Sequence, residues 1–403
     1  FGLGSWETGG IVMKTLPAYI GSAAFGLKMG VFLPGSDLLG EVVTRAEELH
    51  RDELLDDGDV ICITESVVAR VQNNIVTTDQ VAEEVRTKLS LKPTSTLGVV
   101  FPIASRNRFS VVLEGLAKAV PQGRVVVQFS HPVDEVGNQV LDPAYVQEHG
   151  GYGAVLHHGD IPEDLLLHPV TQIDYGAYYA DVIRWQGAEP AILYANDPQR
   201  ILTEQPDGII AADIRTREET KARLQQVLDN CITLQDICSN GEIASEWGLL
   251  GSNMSSDGKL KLAPRDGDKI TKDIQNEVFQ RTGRKVEVLI YGDGAYKDPG
   301  TGIYELADPV TTFGCTPGLA NSVRGGVKYK MLADRLYAQG KSAREIEEAI
   351  REAGNSELAE DSMETEGTTP RRMTDILASL ADLLSGSSDA GTPVVLVKNI
   401  YRG

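Results

Sequence analysis

Asp293 stands where the apolar run Val-Glu-Val-Leu-Ile-Tyr (286–291) empties into Gly292-Asp293-Gly294. A carboxylate at the end of a strand suits a magnesium or manganese ion bridging phosphates, although Gly-Asp-Gly is also an ordinary turn composition. Arg70 closes Thr64-Glu65-Ser66-Val-Val-Ala-Arg70, a polar cluster that follows the apolar run Val-Ile-Cys-Ile. It can face phosphates or be a surface cation beside the strand. Near the far end, Gly386-Ser387-Ser388-Asp389-Ala-Gly391 joins an apolar helix to the strand Val-Val-Leu-Val-Lys. Gly292, Gly294, Gly386 and Gly391 sit at strand or helix ends, where backbone can approach a phosphate closely. Asp389 reads as a solvated turn carboxylate. Such parts suit phosphoryl transfer. That chemistry brings two anions together and needs cations and backbone N–H groups around the γ-phosphate.

A second group of chemical residues lies mid-chain. His131, His149, His157, His158 and His168 interleave with Asp134, Asp160 and Asp174. Histidine with carboxylate suits zinc, manganese or iron, but the spacing matches no ligand motif and hydrogen-bonded histidines are the plainer reading. Arg106 and Arg108 in Ser-Arg-Asn-Arg-Phe can hold a carboxylate or phosphate, or can be solvent-facing helix residues. Cys62, Cys231, Cys238 and Cys315 are too few for a disulfide scaffold, and the six residues between Cys231 and Cys238 fit no common zinc spacing. They read as reduced thiols.

The elements that must position these residues follow from periodicity. Leu38, Leu39, Val42, Val43, Ala46 and Leu49 form one helical stripe with Ser36 as N-cap. A strand over Val-Ile-Cys-Ile-Thr continues past the polar triplet into Val67-Val68. Helix 79–90, strand 97–101, helix 106–119 and strand 124–129 alternate as βαβ units. The stretch from 130 to 215 shows no clear period. Thr216 to Glu219 has capping-box spacing and opens a helix carrying Ala222, Leu228 and Cys231; Ser342 to Glu345 repeats the spacing, with Gly354 as the stop. Helix 268–281 leads into strand 286–291. Residues 355–368 read as a loop, and Thr369-Pro370 starts a helix that Gly386 ends. The fold class expected is α/β.

The chain has 403 residues, 41% of them hydrophobic, enough to fill two domains. The Gly-rich opening, residues 1–12, reads as an appended or disordered leader. A net charge of −20 argues against nucleic acid as a partner, but a nucleotide can still be held by a few local cations. No apolar run is long enough to span a membrane and no signal-peptide pattern opens the chain, so a cytoplasmic location is expected.

Four segments, in order, resemble the coenzyme F(420) γ-glutamyl ligase family. They are Phe32-Leu-Pro-Gly-Ser-Asp-Leu38; Asp57 to Arg70; Gly248-Leu-Leu-Gly-Ser-Asn253 with its loop, helix and Thr-Gly-Arg-Lys-Val-Glu-Val-Leu-Ile-Tyr-Gly-Asp; and Gly386 to Gly403. The resemblance implies a GTP-dependent (or ATP-dependent) amide ligase using magnesium or manganese, L-glutamate and a small acceptor, and a homodimer. It implies that Met29, Gly30, Val31 and Phe32 line the nucleotide, and that Glu65, Ser66 and Arg70 meet its phosphates. Asn253 is implied to contact the nucleotide, and Asp293, with Arg70, to act in catalysis. Gly386, Ser387, Ser388, Asp389 and Gly391 would form the terminal loop, with Asp293 and Asp389 as metal ligands. Two implied ligand positions carry Leu250 and Ser387, and the family has Lys where Arg70 stands. Residues 13–100 and 241–403 would form the ligase core. Residues 101–240 would be an inserted acceptor region. A binding protein that lost catalysis and a metal-dependent hydrolase using the His/Asp-rich insertion are the alternatives.

Overall fold

Along Val60–Thr64 the side chains alternate, so that Val60 and Cys62 face one way and Ile61 and Ile63 the other, and all four are buried. A strand apolar on both faces needs a helical layer on each side. The computed structural model describes residues 16, 19–241, 243–256, 258–292, 295–297, 304–324, 327–354, 371–385 and 391–400. In it this strand, β2, is the centre of a five-stranded sheet ordered β1 (Ala23–Leu27), β18 (Val394–Lys398), β2 (Val60–Thr64), β12 (Glu287–Tyr291), β15 (Thr312–Cys315). Strands β2 and β12 run parallel and the other neighbours antiparallel. Helices α1 (Leu38–Arg51) and α8 (Gly267–Thr282) cover one face and α12 (Met373–Ser385) the other.

The second sheet has six strands. Its parallel members β4 (Thr96–Val100), β5 (Arg124–Phe129), β7 (Glu189–Ala195), β8 (Gly208–Ala211) and β9 (Cys231–Thr233) stand in the order β7-β5-β4-β8-β9. Strand β6 (Val155–His157) adds antiparallel to β7. One face packs Leu97, Val99, Val125 and Val127 under α3 (Thr78–Lys88), α4 (Phe109–Lys118) and α6 (Tyr175–Trp185). On the other, Val100, Val126 and Ile209 meet Leu224 of α7 (Arg217–Leu224). Helix α5 (Pro143–Glu148) is capped by Asp142, whose carboxylate accepts from the Ala144 and Tyr145 N–H groups.

A three-stranded antiparallel sheet of β10 (Asn253–Ser256), β11 (Lys259–Lys261) and β3 (Ile75–Thr77) lies between the two. Asn74 beside it is fully buried and donates to the Ala244 and Ala263 carbonyls at 2.8 and 2.9 Å. The remaining described elements are α2 (Glu65–Val71), the pair β13 (Ala295–Lys297) and β14 (Tyr304–Ala307), and the pair β16 (Val323–Arg324) and β17 (Arg371–Arg372). Helices α9 (Pro317–Ala320), α10 (Tyr329–Ala338) and α11 (Ala343–Gly354) complete them.

The α/β architecture expected from the sequence is present, and several local expectations are corrected. Asp37, not Ser36, caps α1, accepting from the Gly40 N–H at 2.9 Å; Ser36 accepts from Leu33 instead, and Leu39 is 36% exposed rather than in the stripe. The chain turns into α2 after Thr64 rather than continuing as strand. Strand β4 stops at Val100 because Phe101 adopts φ +57°, a left-handed conformation that no strand accommodates. The Thr216 hydroxyl donates to Asp213 at 2.6 Å and so caps nothing; α7 ends at Leu224, before Leu228 and Cys231. At Ser342 the capping box forms, with Ser342 N and Oγ donating to Glu345 at 2.9 and 2.8 Å. The stretch 130–215, without visible period, holds α6, β7 and β8. The leader, the loop 355–368 and Thr369-Pro370 lie outside the described residues. Among those residues, no helix is long and apolar enough to cross a membrane and the four cysteines are reduced.

Asp134, 4% exposed, follows β5 and accepts from the Ala104, Val136 and Asn138 backbone N–H groups at 2.8–3.1 Å. Burial outweighs these donors and pushes its carboxyl up to about 6. A folded-state value above the unfolded one gives a stabilisation that is complete below the unfolded pKa and lost as pH rises through the folded one. Wild type should therefore gain on Asp134→Asn as pH falls from neutral through about 6. Paired thermal melts across that window check this, and parallel curves would refute it.

Candidate functional site

The carboxyl end of β2, the segment after β1 and the entry to β18 meet at one edge of the first sheet. Backbone hydrogen bonds knit them: Thr64 N–H to the Pro393 carbonyl at 3.0 Å, and Met29 N–H to the Gly391 carbonyl at 2.9 Å. Between them opens a cavity of about 410 Å³, lined by Gly30, Val31, Phe32, Thr64, Ser66, Val67, Arg70, Ser385, Gly391, Thr392 and Pro393. That volume is in the range of small-molecule sites. Three distant stretches of sequence thus contribute one wall each. Gly391 has φ +63°, a left-handed conformation in which a side chain would be strained.

Arg70 is the charged residue of this described lining, and no carboxylate shares it. The guanidinium is exposed, in the last turn of α2. In a chain of net charge −20, a cavity with a cation and hydroxyls but no described carboxylate selects for an anion. Ser66 adds a polarised hydroxyl. Its oxygen accepts from Lys261 Nζ at 2.9 Å, which leaves its O–H to donate into the cavity.

The sequence gives no sign of Lys261. Carried on β11, it reaches back to Glu65 as well, at 3.1 Å. Glu65 is 4% exposed, and burial pushes its carboxyl up against the opposing pull of Lys261. Behind it lie Asp308 and Arg108, paired at 3.0 Å with both side chains buried. Gly292 abuts the same place: a Cβ there would lie 2.4 Å from Phe313 Cε2 and 2.7 Å from Asp308 Oδ2, so only glycine fits. The pattern that could have revealed this cluster is weak, because lone Lys and Asp residues in a loop and a short strand carry no periodicity.

Of the expected site residues, Gly30, Val31, Phe32, Ser66, Arg70 and Gly391 line the cavity, and Met29 flanks it. Glu65 turns inward to Lys261, and Asn253 pairs with the Lys261 backbone on β10; neither lines the cavity. Asp293, Gly294, Gly386, Ser387, Ser388 and Asp389 lie outside the described residues. Arg108 is neither a solvent-facing helix residue nor part of α4, which it precedes.

The described residues do not fit a divalent metal. Leu250 is an apolar core residue without a donor atom, and the two buried carboxylates beside the cavity, Glu65 and Asp308, already face cations. The histidines do not converge either. His158 pairs with Asp174 at 2.8 Å, the buried His131 ring meets the Ala154 carbonyl at 3.0 Å, and His168 Nδ1 accepts from Val170 and Thr171. Among the described residues, no three His, Cys, Asp or Glu side chains group as a metal site.

A larger cavity, about 880 Å³, lies between the start of α8 and β15. Glu246, Asp266, Asp268 and Asp273 outnumber Lys269 and Lys272 in its lining, the wrong balance for a polyphosphate. We place the candidate site at the smaller one on electrostatic grounds.

A search of curated proteins returns no match. The family model for F420-0:gamma-glutamyl ligase matches residues 26–399, which takes in both sheets apart from the first three residues of β1, and every wall of the cavity. The chain belongs to the F420-0:gamma-glutamyl ligase family.

Proposed function

We propose that the protein is a nucleotide-dependent ligase that joins L-glutamate to the carboxylate of a small acceptor, with GTP or ATP bound in the 410 Å³ cavity. The observation that carries the reading is the convergence of Gly30–Phe32, Ser66 with Arg70, and Gly391–Pro393 on a cavity whose described lining is cationic. In the reaction, an acceptor carboxylate oxygen attacks the γ-phosphorus and the nucleoside diphosphate leaves. The amine of glutamate then attacks the acyl phosphate, inorganic phosphate leaves, and the amine gives up a proton to solvent. Arg70 offsets charge on the triphosphate, the Ser66 hydroxyl donates to a phosphate oxygen, and the Gly30–Phe32 and Gly391–Pro393 backbone sets the cavity's walls.

The magnesium or manganese ion proposed with the nucleotide falls to Asp293 and Asp389, outside the described residues. Such an ion would neutralise charge on the phosphates. Residues 101–240 are proposed as the acceptor region, and a homodimer is the proposed assembly. Phosphate release is the test. With GTP or ATP, magnesium or manganese, and glutamate, release should begin only when F420-0 or another carboxylate acceptor is added. Acceptor-independent release, or no affinity for either nucleotide, would overturn the reading.

A further inference from the structure

Counted in chain order, the parallel strands β4, β5, β7, β8 and β9 stand side by side as third, second, first, fourth, fifth. The order therefore reverses between β4 and β8. In an open α/β sheet, connections leave such a pair toward opposite sides, and the crevice beyond their carboxyl ends is where ligands bind. Here that crevice is a cavity of about 30 Å³. Ile103 reaches it from the end of β4, and Ala212 and Ile214 from the end of β8; Leu249 to Ser252, re-entering the ligase core, close it. The space suits a carboxylate group or about two waters.

Its walls are apolar apart from Arg108 and Ser252, and the Ser252 hydroxyl donates to the Leu249 carbonyl at 2.7 Å. Arg108 is 5% exposed. Its Nη1 meets Asp308 at 3.0 Å, while its buried Nε–H finds no hydrogen-bond partner among the described residues. An unmet guanidinium donor in an apolar wall is costly unless a ligand completes it. The crevice is also linked to the triphosphate cavity. Ser66, in that cavity's lining, bonds Lys261, Lys261 bonds Glu65, and Glu65 lies within electrostatic reach of Asp308 and Arg108.

We propose that the crevice between the carboxyl ends of β4 and β8 is the acceptor's anion subsite, where the Arg108 Nε–H receives a carboxylate of the acceptor. The identity of the occupant as acceptor rests on the ligase reading above; the carboxylate subsite itself does not. Arg108 and Ile103 come from the stretch proposed as the acceptor region and Leu249 to Ser252 from the proposed core. The subsite therefore places the acceptor across the junction, beside the bound nucleotide.

Propionate tests the subsite without catalysis. In full-length protein carrying isotope-labelled arginine, the Arg108 Nε–H resonance, identified by its loss in Arg108→Lys or its shift in Asp308→Asn, should move saturably with propionate, with a midpoint in the millimolar range. Neutral propionamide should leave it in place. A resonance indifferent to propionate, or one moved equally by propionamide, overturns the proposal. In phosphate-release assays with F420-0, Arg108→Lys should raise the acceptor KM about tenfold with kcat and GTP affinity little changed. Equal loss of GTP affinity would mark Arg108 as merely structural and overturn its acceptor role. Propionate binding by a wild type that fails to bind GTP or ATP would instead defeat the ligase reading and leave the subsite standing.

Discussion

Arg70→Ala is expected to weaken GTP binding by roughly thirtyfold to a hundredfold, about 2–3 kcal/mol, while leaving the melting temperature nearly unchanged. The size follows from the proposed charge-assisted contact to phosphate in a cavity with no other charged side chain in its described lining. The separation from stability follows from exposure: among the described residues, no carboxylate engages the guanidinium, so its loss strands no partner in the fold. Arg70→Lys should keep most of the affinity, since a point charge still reaches a phosphate but loses the planar fork. Titration of wild type and both variants with GTP, beside thermal melts, decides the matter. An unchanged dissociation constant for Arg70→Ala would remove Arg70 from the site.

The first sheet is readable from sequence because its strands are short apolar runs with strong punctuation. Val60–Thr64 and Val394–Lys398 stand where the pattern puts them, and the helix expected over 268–281 is observed as Gly267–Thr282. The parallel order of the second sheet is much less visible. The pattern shows β4, α4 and β5 but loses β7 and β8, because the connections between them are long and carry polar caps and turns. Asp174 capping α6 and Asp197 capping the turn at Pro198–Glu204 look like loop residues until the helices they start are known. Local rules also misplace residues that have a better partner. Thr216 has capping-box spacing, but Asp213, buried three residues earlier, takes its hydroxyl.

The candidate site divides in the same way. Arg70, Ser66 and Gly391 are legible because hydroxyls, a cation and glycines at element ends are what a phosphate requires. Glu65 reads as one of that set, yet it faces inward, since α2 starts at Glu65 and turns successive side chains by a helical step rather than a strand's alternation. Its partner Lys261 is 196 residues away, and Arg108 lies 200 residues from Asp308. Pairings over such separations are set by how the sheets dock. No local spacing encodes them.

Lys398→Met should be strongly destabilising, by about 3–5 kcal/mol. Lys398 lies on β18 with its side chain 3% exposed, and its ammonium meets the Leu54 carbonyl at 2.7 Å, Asp56 at 3.1 Å and Asp59 at 2.5 Å. Three acceptors thus match three N–H donors, and they tie the chain's last strand to the turn before β2. Burial already pushes the Asp59 carboxyl up, with Lys398 opposing it, so removing the ammonium leaves a buried carboxylate without its main counter-charge. Lys398→Met with Asp59→Asn should recover much of the loss, because the stranded charge goes too. The deficit of the single variant should also shrink on acidification: a carboxyl whose folded pKa is raised regains stability as pH falls through that value. Denaturant midpoints for the single and double variants at neutral and mildly acidic pH test both statements, and a deficit independent of pH would contradict the buried-charge account. Gly391 to Pro393 lead directly into β18 and form one wall of the cavity proposed for the nucleotide. Lys398→Met should therefore weaken GTP binding through the position of that wall, although Lys398 itself does not line the cavity.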